Sequence, residues 1–143
     1  MLNSKGENMK NKTNIKGMFA MMIAASLFLG CNKDFPVDED GLLITFRKEC
    51  FVSNFELLGN DFVSVRNGVP IIDTVAQTIN VTVNFGTDLK NLYPQFTLAT
   101  DCKLDPKITG KVDFSDLANP KTWTVVSGDR QVRKAYKVYV KVQ

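Results

Sequence analysis

Thr78-Ile79-Asn80-Val81-Thr82-Val83-Asn84-Phe85 is the stretch with the clearest strand pattern in this chain. Its apolar residues occupy every second position, and the residues between them are polar. Because successive side chains of a strand point to opposite faces, this pattern predicts a strand with one face in a core and the other in water. The strand should therefore belong to a sheet that buries one of its faces.

Short apolar segments with turn signals between them lie on both sides of this stretch. Some seven short strands, almost no helix and no alternation of strands with helices predict an all-β fold, an immunoglobulin-like antiparallel β-sandwich of about seven strands. Residues 100–120 should be irregular. The other expected strands are residues 42–46 (or an extended lead-in), 51–58, 94–99, 122–126 and 131–142, and a hairpin of 62–65 with 69–72 around Arg66-Asn67-Gly68.

The first 30 residues have the plan of a bacterial export signal, with Lys10, Lys12 and Lys16 before an apolar run that ends at the small Gly30. The run is shorter than the roughly 20 apolar residues of a membrane span. Cys31 follows directly, and residues 27–31 resemble the lipobox of bacterial lipoproteins. The resemblance implies a lipoprotein signal peptide at residues 1–30 and lipid attachment at Cys31. The alternative is an ordinary signal peptide followed by a chance cysteine.

Residues 31–41 are acidic and lack apolar periodicity, which predicts a tether between the anchor and a domain at residues 42–143. Acidic residues soon after the lipidated cysteine also resemble the surface-export signal of Bacteroidetes lipoproteins. That resemblance implies an outer-membrane lipoprotein that faces the medium. A periplasm-facing position is the alternative.

The positive charge of the chain comes from the segment that would be removed. The chain has 18 basic and 15 acidic residues, but residues 1–30 hold four lysines and one acid, so residues 31–143 carry 14 of each. A domain without net charge lacks the electrostatic footprint of a nucleic-acid-binding protein. We therefore expect no nucleic-acid partner.

The cysteines form a possible pair once Cys31 is lipidated. Cys50 and Cys102 are then an even pair in an exported, oxidising setting. A disulfide between them would close a loop of about 50 residues and stabilise the fold by roughly 4 kcal/mol. Two buried free thiols are the alternative.

Several short motifs occur in an order that resembles a small immunoglobulin-like domain of Bacteroidetes surface lipoproteins. The resemblance covers about residues 50–143. Domains of this type are largely without a known function and often precede carbohydrate-metabolism domains or other glycan-related modules. The resemblance implies a β-sandwich and an association with glycans, and it supplies no catalytic residues. The motifs are Gly86-Thr87-Asp88-Leu89-Lys90-Asn91-Leu92-Tyr93-Pro94, Val112-Asp113-Phe114-Ser115, Asn119-Pro120, Thr122-Trp123-Thr124-Val125 and Tyr136-Lys137-Val138.

Residues suited to catalysis or metal binding are sparse. The sequence has no histidine, the commonest general base and metal ligand. Asp101 with Asp105, and Asp113 with Asp116, lie in loops where turn geometry itself favours aspartate. This local role is more common than a glycosidase pair or a calcium site. We expect a non-catalytic protein with no cofactor and no metal.

The last expected strand offers the most suggestive surface. Aromatic rings stack on the apolar faces of sugars, and charged side chains form hydrogen bonds with hydroxyls. The alternative is that the aromatic residue on the neighbouring strand is core and that the basic residues form a solvated face that discourages aggregation. The candidate glycan contacts are Arg133, Lys137, Tyr139 and Lys141, with Trp123 on a neighbouring strand.

Asp73-Thr74-Val75 resembles the acceptor motif of Bacteroidetes protein O-glycosylation. The motif lies between two expected strands, in a segment that should be an exposed loop. The resemblance makes Thr74 a candidate modification site.

Two main classes of function are compatible with these features. A glycan-associated binding or scaffold lipoprotein would contact polysaccharide, and an exposed aromatic platform would favour it. A structural or adhesion module would contact a neighbouring surface protein, and an open sheet edge or a large apolar patch would favour it. A truncated remnant of a longer lipoprotein is a further alternative.

Overall fold

The computed structural model describes residues 35–143, which form one compact unit. No helix occurs in this range, so the predicted all-β class with about seven strands is confirmed. The predicted signal peptide and Cys31 lie outside the described residues. The strands are β1 (Val52–Leu58), β2 (Ile71–Asp73), β3 (Thr78–Val83), β4 (Tyr93–Leu98), β5 (Lys103–Asp105), β6 (Lys121–Val126) and β7 (Arg133–Val142).

Two sheets pack against each other as a sandwich. One sheet pairs β1 with β4, and the other has the order β2-β3-β7-β6-β5. The pairings are antiparallel except that of β3 with β7, which is parallel. The predicted β-sandwich is confirmed, with one parallel pairing that the sequence did not reveal. Parallel neighbours need a long connection, and here the chain makes β4, β5 and β6 between them.

Aromatic side chains join the two sheets. Phe55 and Phe96 are directly paired across β1 and β4, and their rings meet edge to face with centroids 4.8 Å apart. Phe96 also meets Trp123 of β6, with centroids 5.3 Å apart. Of the four apolar residues of the quoted stretch, Phe85 lies beyond the end of β3 and is 86% exposed. The other three complete the core from β3, together with residues of β6 and β7. These buried aliphatic residues are Ile79, Val81, Val83, Val125 and Val138.

The predicted hairpin around Asn67-Gly68 does not form. Gly68 adopts the positive φ, 81°, that a tight turn requires, but the flanking segments pair elsewhere. Arg66 bridges to the end of β3, and β2 pairs with β3. Val69 and Ile71 are exposed, so a hairpin of these segments would bury little apolar surface. The passage predicted to be irregular also differs, because it contains the edge strand β5.

Part of the predicted acidic tether is fixed to the sandwich. Asp38 accepts hydrogen bonds through Oδ1 from the backbone N–H groups of Asp40 and Leu42, at 3.0 and 2.9 Å. Its Oδ2 lies 2.8 Å from Lys103 Nζ and 2.9 Å from Arg130 Nε. We call Asp38, Lys103 and Arg130 the Asp38 clamp. The carboxylate side chain is only 3% exposed, so the clamp is largely shielded from water.

The compact unit begins earlier in the chain than the predicted domain. The compact unit begins at Phe35, seven residues before the predicted start of the domain. Val37 bridges to Leu43, and the N–H of Thr45 donates to the carbonyl of Gly128 at 2.9 Å. Residues 35–41 of the predicted tether are therefore part of the compact unit. Their cationic partners come from β5 and from the turn before β7, which the composition of the tether alone does not reveal.

The ion pair between Asp38 and Lys103 changes the pKa values of both groups, in opposite directions. The hydrogen bond from Lys103 lowers the pKa of Asp38 well below its usual range, and the hydrogen bond to Asp38 raises the pKa of Lys103. A carboxylate whose pKa is lower in the folded than in the unfolded chain stabilises the fold at pH values above its pKa in the unfolded chain. This stabilisation is lost as the pH falls toward its pKa in the folded chain. A lysine whose pKa is higher in the folded chain stabilises the fold at pH values below its pKa in the unfolded chain, and this stabilisation is lost only as the pH rises through its pKa in the folded chain. The clamp is therefore complete at neutral pH.

We expect Asp38→Asn to lower the midpoint of thermal unfolding at pH 7, because Lys103 and Arg130 lose their shared buried anion. The difference from the unchanged protein should narrow as the pH falls below about 4, where the carboxylate of the unfolded chain becomes protonated. Circular dichroism melts between pH 2 and 8 measure both quantities.

Glu39→Gln is the matched control, since Glu39 also contacts Lys103 but is 84% exposed. It should change the midpoint little at any pH. Equal melting of Asp38→Asn and the unchanged protein at pH 7 would show that the clamp does not stabilise the fold.

Candidate functional site

The outer face of the five-stranded sheet carries most of the residues predicted to contact glycan. Tyr136 and Val138 of β7 are buried, and the odd-numbered residues between and beyond them point outward. Lys137, Tyr139 and Lys141 therefore lie on one exposed face, as the alternation predicts. Because β7 is the central strand of its sheet, these side chains stand on a rigid surface.

Trp123 is not part of this surface, so its prediction as a glycan contact is wrong. Its side chain is 6% exposed and packs against Phe96 and Phe114 in the core, with ring centroids 5.3 and 6.1 Å away. Along β6, Trp123 and Val125 face inward while Thr122 faces outward. The alternative reading of Trp123 as a core residue is the correct one.

Arg133 lies on the outer face but far from Tyr139. The two residues are six positions apart along β7, which corresponds to about 20 Å on an extended strand. Arg133 also forms an ion pair with Asp105 of β5. The predicted basic stripe is therefore divided, and only the half around Tyr139 combines an aromatic ring with free polar groups.

Tyr139 borders a shallow depression of about 160 Å³ on this face. The register places Ile71, Asn80 and Tyr139 side by side in one row across β2, β3 and β7. Lys141 is paired with Thr82 in the next row. Tyr139 is 38% exposed, so part of its ring is open to a ligand.

The chemistry of this depression suits a sugar ring. The Tyr139 ring and the exposed Ile71 side chain offer apolar surface, while Asn80 and Lys141 offer hydrogen-bonding groups. We call these four residues the Tyr139 surface. The sequence predicted only its two β7 residues, because Ile71 and Asn80 join it through strand pairing.

A larger groove lies on another side of the sandwich. It has a volume of about 640 Å³ and is lined by Phe96 and Leu98 of β4 and by Leu104 of β5, with Leu42 and Ile108 beside them. β4 and β5 are edge strands among residues 35–143, since each is paired on one side only. The groove thus combines apolar lining with unpaired strand edges.

The aspartates considered for catalysis or calcium are engaged locally. Asp113 accepts from the N–H of Ser115 at 2.8 Å, and the hydrogen bonds with Ser115 lower the pKa of Asp113. Asp116 accepts from the amide of Asn119, which lowers the pKa of Asp116. Asp101 pairs with Arg47 at 3.2 Å. Residues 35–143 contain no cluster of three acidic or cysteine side chains able to hold a metal ion.

Cys50 and Cys102 are free thiols in this structure. The Cys50 Sγ–H donates to the carbonyl of Val125 at 3.2 Å, and the Cys102 Sγ–H donates to that of Glu49 at 3.0 Å. Burial raises the pKa of both thiols, and the neighbouring Cys50 raises that of Cys102 further. Protonated thiols are poor nucleophiles. The two side chains are close enough to interact, and the disulfide stays a prediction for an oxidising compartment.

Thr74 is exposed in the turn between β2 and β3. Asp73 Oδ1 accepts from the N–H groups of Val75 and Ala76, at 2.9 and 2.8 Å, which fixes the turn. The structure thus presents Thr74 to solvent, and its glycosylation stays a prediction. Residues 35–143 include no helix of the length and apolarity that a membrane crossing requires.

Comparison with known families identifies the domain. Residues 60–140 match the family model described as "SGBP, N-terminal". The chain belongs to this family. The match spans the strands from β2 to most of β7, and thus includes Ile71, Asn80 and Tyr139 of the Tyr139 surface, while Lys141 lies one residue beyond it. No curated protein is significantly similar to the chain.

Three solved structures from Bacteroides species are similar to part of this chain. A Bacteroides thetaiotaomicron protein described as a candidate glycoside hydrolase is 32% identical with a TM-score of 0.55, over 66% of this chain and 25% of that protein. This chain thus spans about a quarter of its length. A candidate secreted protein from Bacteroides fragilis is 12% identical with a TM-score of 0.48, over 67% and 97% of the two chains. A DUF4623 family protein from Bacteroides eggerthii is 19% identical with a TM-score of 0.48, over 66% of this chain and 22% of that protein.

Proposed function

We propose that this protein is a non-catalytic, lipid-anchored cell-surface protein whose sandwich domain contacts polysaccharide in a glycan-acquisition system. The observation that carries the proposal is membership of the family, whose name refers to starch- and glycan-binding proteins. The similarity to Bacteroides proteins agrees with the resemblance to Bacteroidetes surface lipoproteins.

The Tyr139 surface is the proposed point of contact. Its residues lie on the central strand and its neighbours, so binding would require little ordering of the protein. The tyrosine ring would lie against the apolar face of a sugar, and Asn80 and Lys141 would form hydrogen bonds with its hydroxyls. The exposed ammonium groups of Lys137 and Lys141 would extend the contact along a polysaccharide.

A binding role suits the acidic residues better than catalysis does. Glycosidases use two carboxyl groups placed on either side of the bond that breaks. Asp105 is instead paired with Arg133, and Asp101 with Arg47. The similarity to a candidate glycoside hydrolase covers only a quarter of that protein, which is too little to support a shared activity.

Cys31 would supply the anchor. Its acyl chains would hold the protein to the membrane, since each buried CH₂ contributes about 0.8 kcal/mol. We place the protein in the outer membrane and facing the medium; the periplasmic face is the alternative. In either position the clamp would fix the last residues of the tether to the domain.

We expect Tyr139→Ala to weaken retention of the full chain on polysaccharide about tenfold, the loss typical of one dominant contact residue. Affinity electrophoresis in gels that contain amylopectin or hydroxyethylcellulose measures the retention. Phe85→Ala is the matched control, because Phe85 is also an exposed aromatic residue but lies in a loop outside the Tyr139 surface. It should leave retention unchanged.

Equal retention of Tyr139→Ala and the unchanged protein would remove the Tyr139 surface from the proposal. Absence of retention of the unchanged chain on every polysaccharide would contradict glycan binding itself. The melting curve of each variant should match that of the unchanged protein.

A protein-binding role is the second candidate, and the groove between β4 and β5 is the observation that favours it. An extended peptide could pair with the unpaired edge of β4 and place apolar side chains against Phe96 and Leu104. Such a partner would be a neighbouring surface protein. In that case, replacement of Tyr139 would not affect the complex.

We expect Cys31→Ser to move the protein from the membrane fraction to the soluble fraction of its native host, because the serine cannot carry the thioether-linked lipid. Ultracentrifugation followed by immunoblotting measures the change. Cys50→Ser is the control and should stay with the membrane. A Cys31→Ser protein that remains membrane-bound would contradict lipid anchoring at this residue.

A further inference from the structure

The outer face of the β1–β4 sheet carries an aromatic pair that the sequence did not reveal. Leu58 and Tyr93 are paired across the two strands and point outward. The ring of Phe62, in the loop after β1, stacks on Tyr93 with centroids 4.7 Å apart and an interplanar angle of 25°. Lys111 Nζ lies 5.8 Å from the centre of the Tyr93 ring. Phe62 remains 64% exposed.

Phe62 holds an unfavourable backbone conformation. Its φ is +58°, in the left-handed region where glycine and asparagine are far better tolerated than a bulky residue. Large side chains in this region usually gain compensating burial or have a functional role. Burial is small here, because stacking covers one face of the ring and leaves the other in water.

The loop is built to keep that conformation. The N–H of Phe62 donates to the carbonyl of Gly59 at 3.0 Å, and the N–H of Gly59 donates to the carbonyl of Val63 at 2.9 Å. Asp61 Oδ1 accepts from the N–H of Val63 at 3.1 Å. A Cβ on Gly59 would approach Asp61 Oδ1 to 3.0 Å, so the loop packs closely around this glycine.

The far side of the loop is fastened to the sheet. Glu56 accepts from Ser64 Oγ at 2.7 Å and pairs with Arg66 at 2.7 Å. Arg66 also donates to the carbonyl of Phe55 at 2.8 Å. The loop is thus held at both ends, and the charges of Glu56 and Arg66 neutralise each other. The Glu56–Arg66 pair therefore adds polar groups but no net charge to the surface next to the Phe62 and Tyr93 rings.

Uncharged polar groups continue this face of the sheet beyond the rings. The row after Leu58 and Tyr93 contains Gln95 opposite Glu56, and the next contains Asn54 opposite Thr97. Successive rows on one face are about 7 Å apart. Gln95, Asn54 and Thr97 are exposed, so amide and hydroxyl groups are available beside the aromatic pair.

We propose that Phe62, supported by Tyr93, is a second stacking surface for a pyranose ring of a neutral polysaccharide, and that Gln95 forms hydrogen bonds with the sugar hydroxyls. The choice of polysaccharide as the ligand rests on the proposed function. The location of this second surface differs from that of the Tyr139 surface, because Tyr93 and Tyr139 belong to different sheets. The domain would then contact polysaccharide on both faces of the sandwich.

Phe62→Gly separates a binding role from a structural one. Glycine removes the ring and relieves the left-handed backbone strain, so we expect an unfolding midpoint equal to or above that of the unchanged chain. Retention in gels that contain amylopectin or hydroxyethylcellulose should fall about tenfold. Phe62→Trp keeps a stacking ring and should retain binding. Val63→Ala, at the neighbouring exposed apolar residue, is the control and should change neither quantity.

Four outcomes would overturn the inference. A Phe62→Gly chain that is retained normally, while Tyr139→Ala is not, contradicts this surface and leaves the proposed function standing. A marked fall of the unfolding midpoint in Phe62→Gly shows that the ring has a structural role. No retention of the unchanged chain on either polysaccharide contradicts both proposals. Stronger retention in gels with polygalacturonate would show that the ligand is anionic, contrary to the proposal.

Discussion

The packing of Trp123 against Phe96 is the contact on which the rest of the structure depends. A two-stranded sheet is marginal in water by itself, so β1 and β4 need the larger sheet as a partner. Trp123 of β6 meets Phe96 of β4, and Phe96 meets Phe55 of β1. Burial of a tryptophan removes about 150–250 Å² from water, which corresponds to roughly 4–6 kcal/mol as an upper estimate.

This packing determines which side chains the domain presents. With Trp123 inward on β6, the register places Tyr136 inward on β7 and leaves Tyr139 outward. On the other sheet, the inward direction of Phe96 leaves Gln95 and Tyr93 outward. Tyr139 and Tyr93, which belong to the two surfaces proposed as sugar contacts, therefore lie on the outer faces of strands whose inner faces form the core. We propose polysaccharide as the ligand of these faces because of the family to which the chain belongs.

Local patterns predicted much of the fold, and long-range pairing explains the differences. Strict alternation identified β3 and the inward and outward faces of β7. The neighbour of Tyr139 in its row, Asn80, comes from a strand more than 50 residues earlier, so the sequence could not place them together. The same holds for Asp38, whose partner Lys103 lies on β5. Trp123 was misplaced although it shares a face of β6 with Val125, a pattern that already favours the core. The exposed position of Phe62 depends on the left-handed backbone conformation of Phe62 itself, which no local sequence motif predicts.

Fluorescence shows whether Trp123 lies between the two sheets, because Trp123 is the one tryptophan in the sequence. We expect a blue-shifted emission that acrylamide quenches weakly and that saturating polysaccharide leaves unchanged, since the ring lies between the sheets and touches no ligand. A red-shifted emission, strong quenching, or a shift on addition of polysaccharide would contradict the packing of Trp123 between the sheets. Such a result would place Trp123 at the surface and undo the assignment of inner and outer faces.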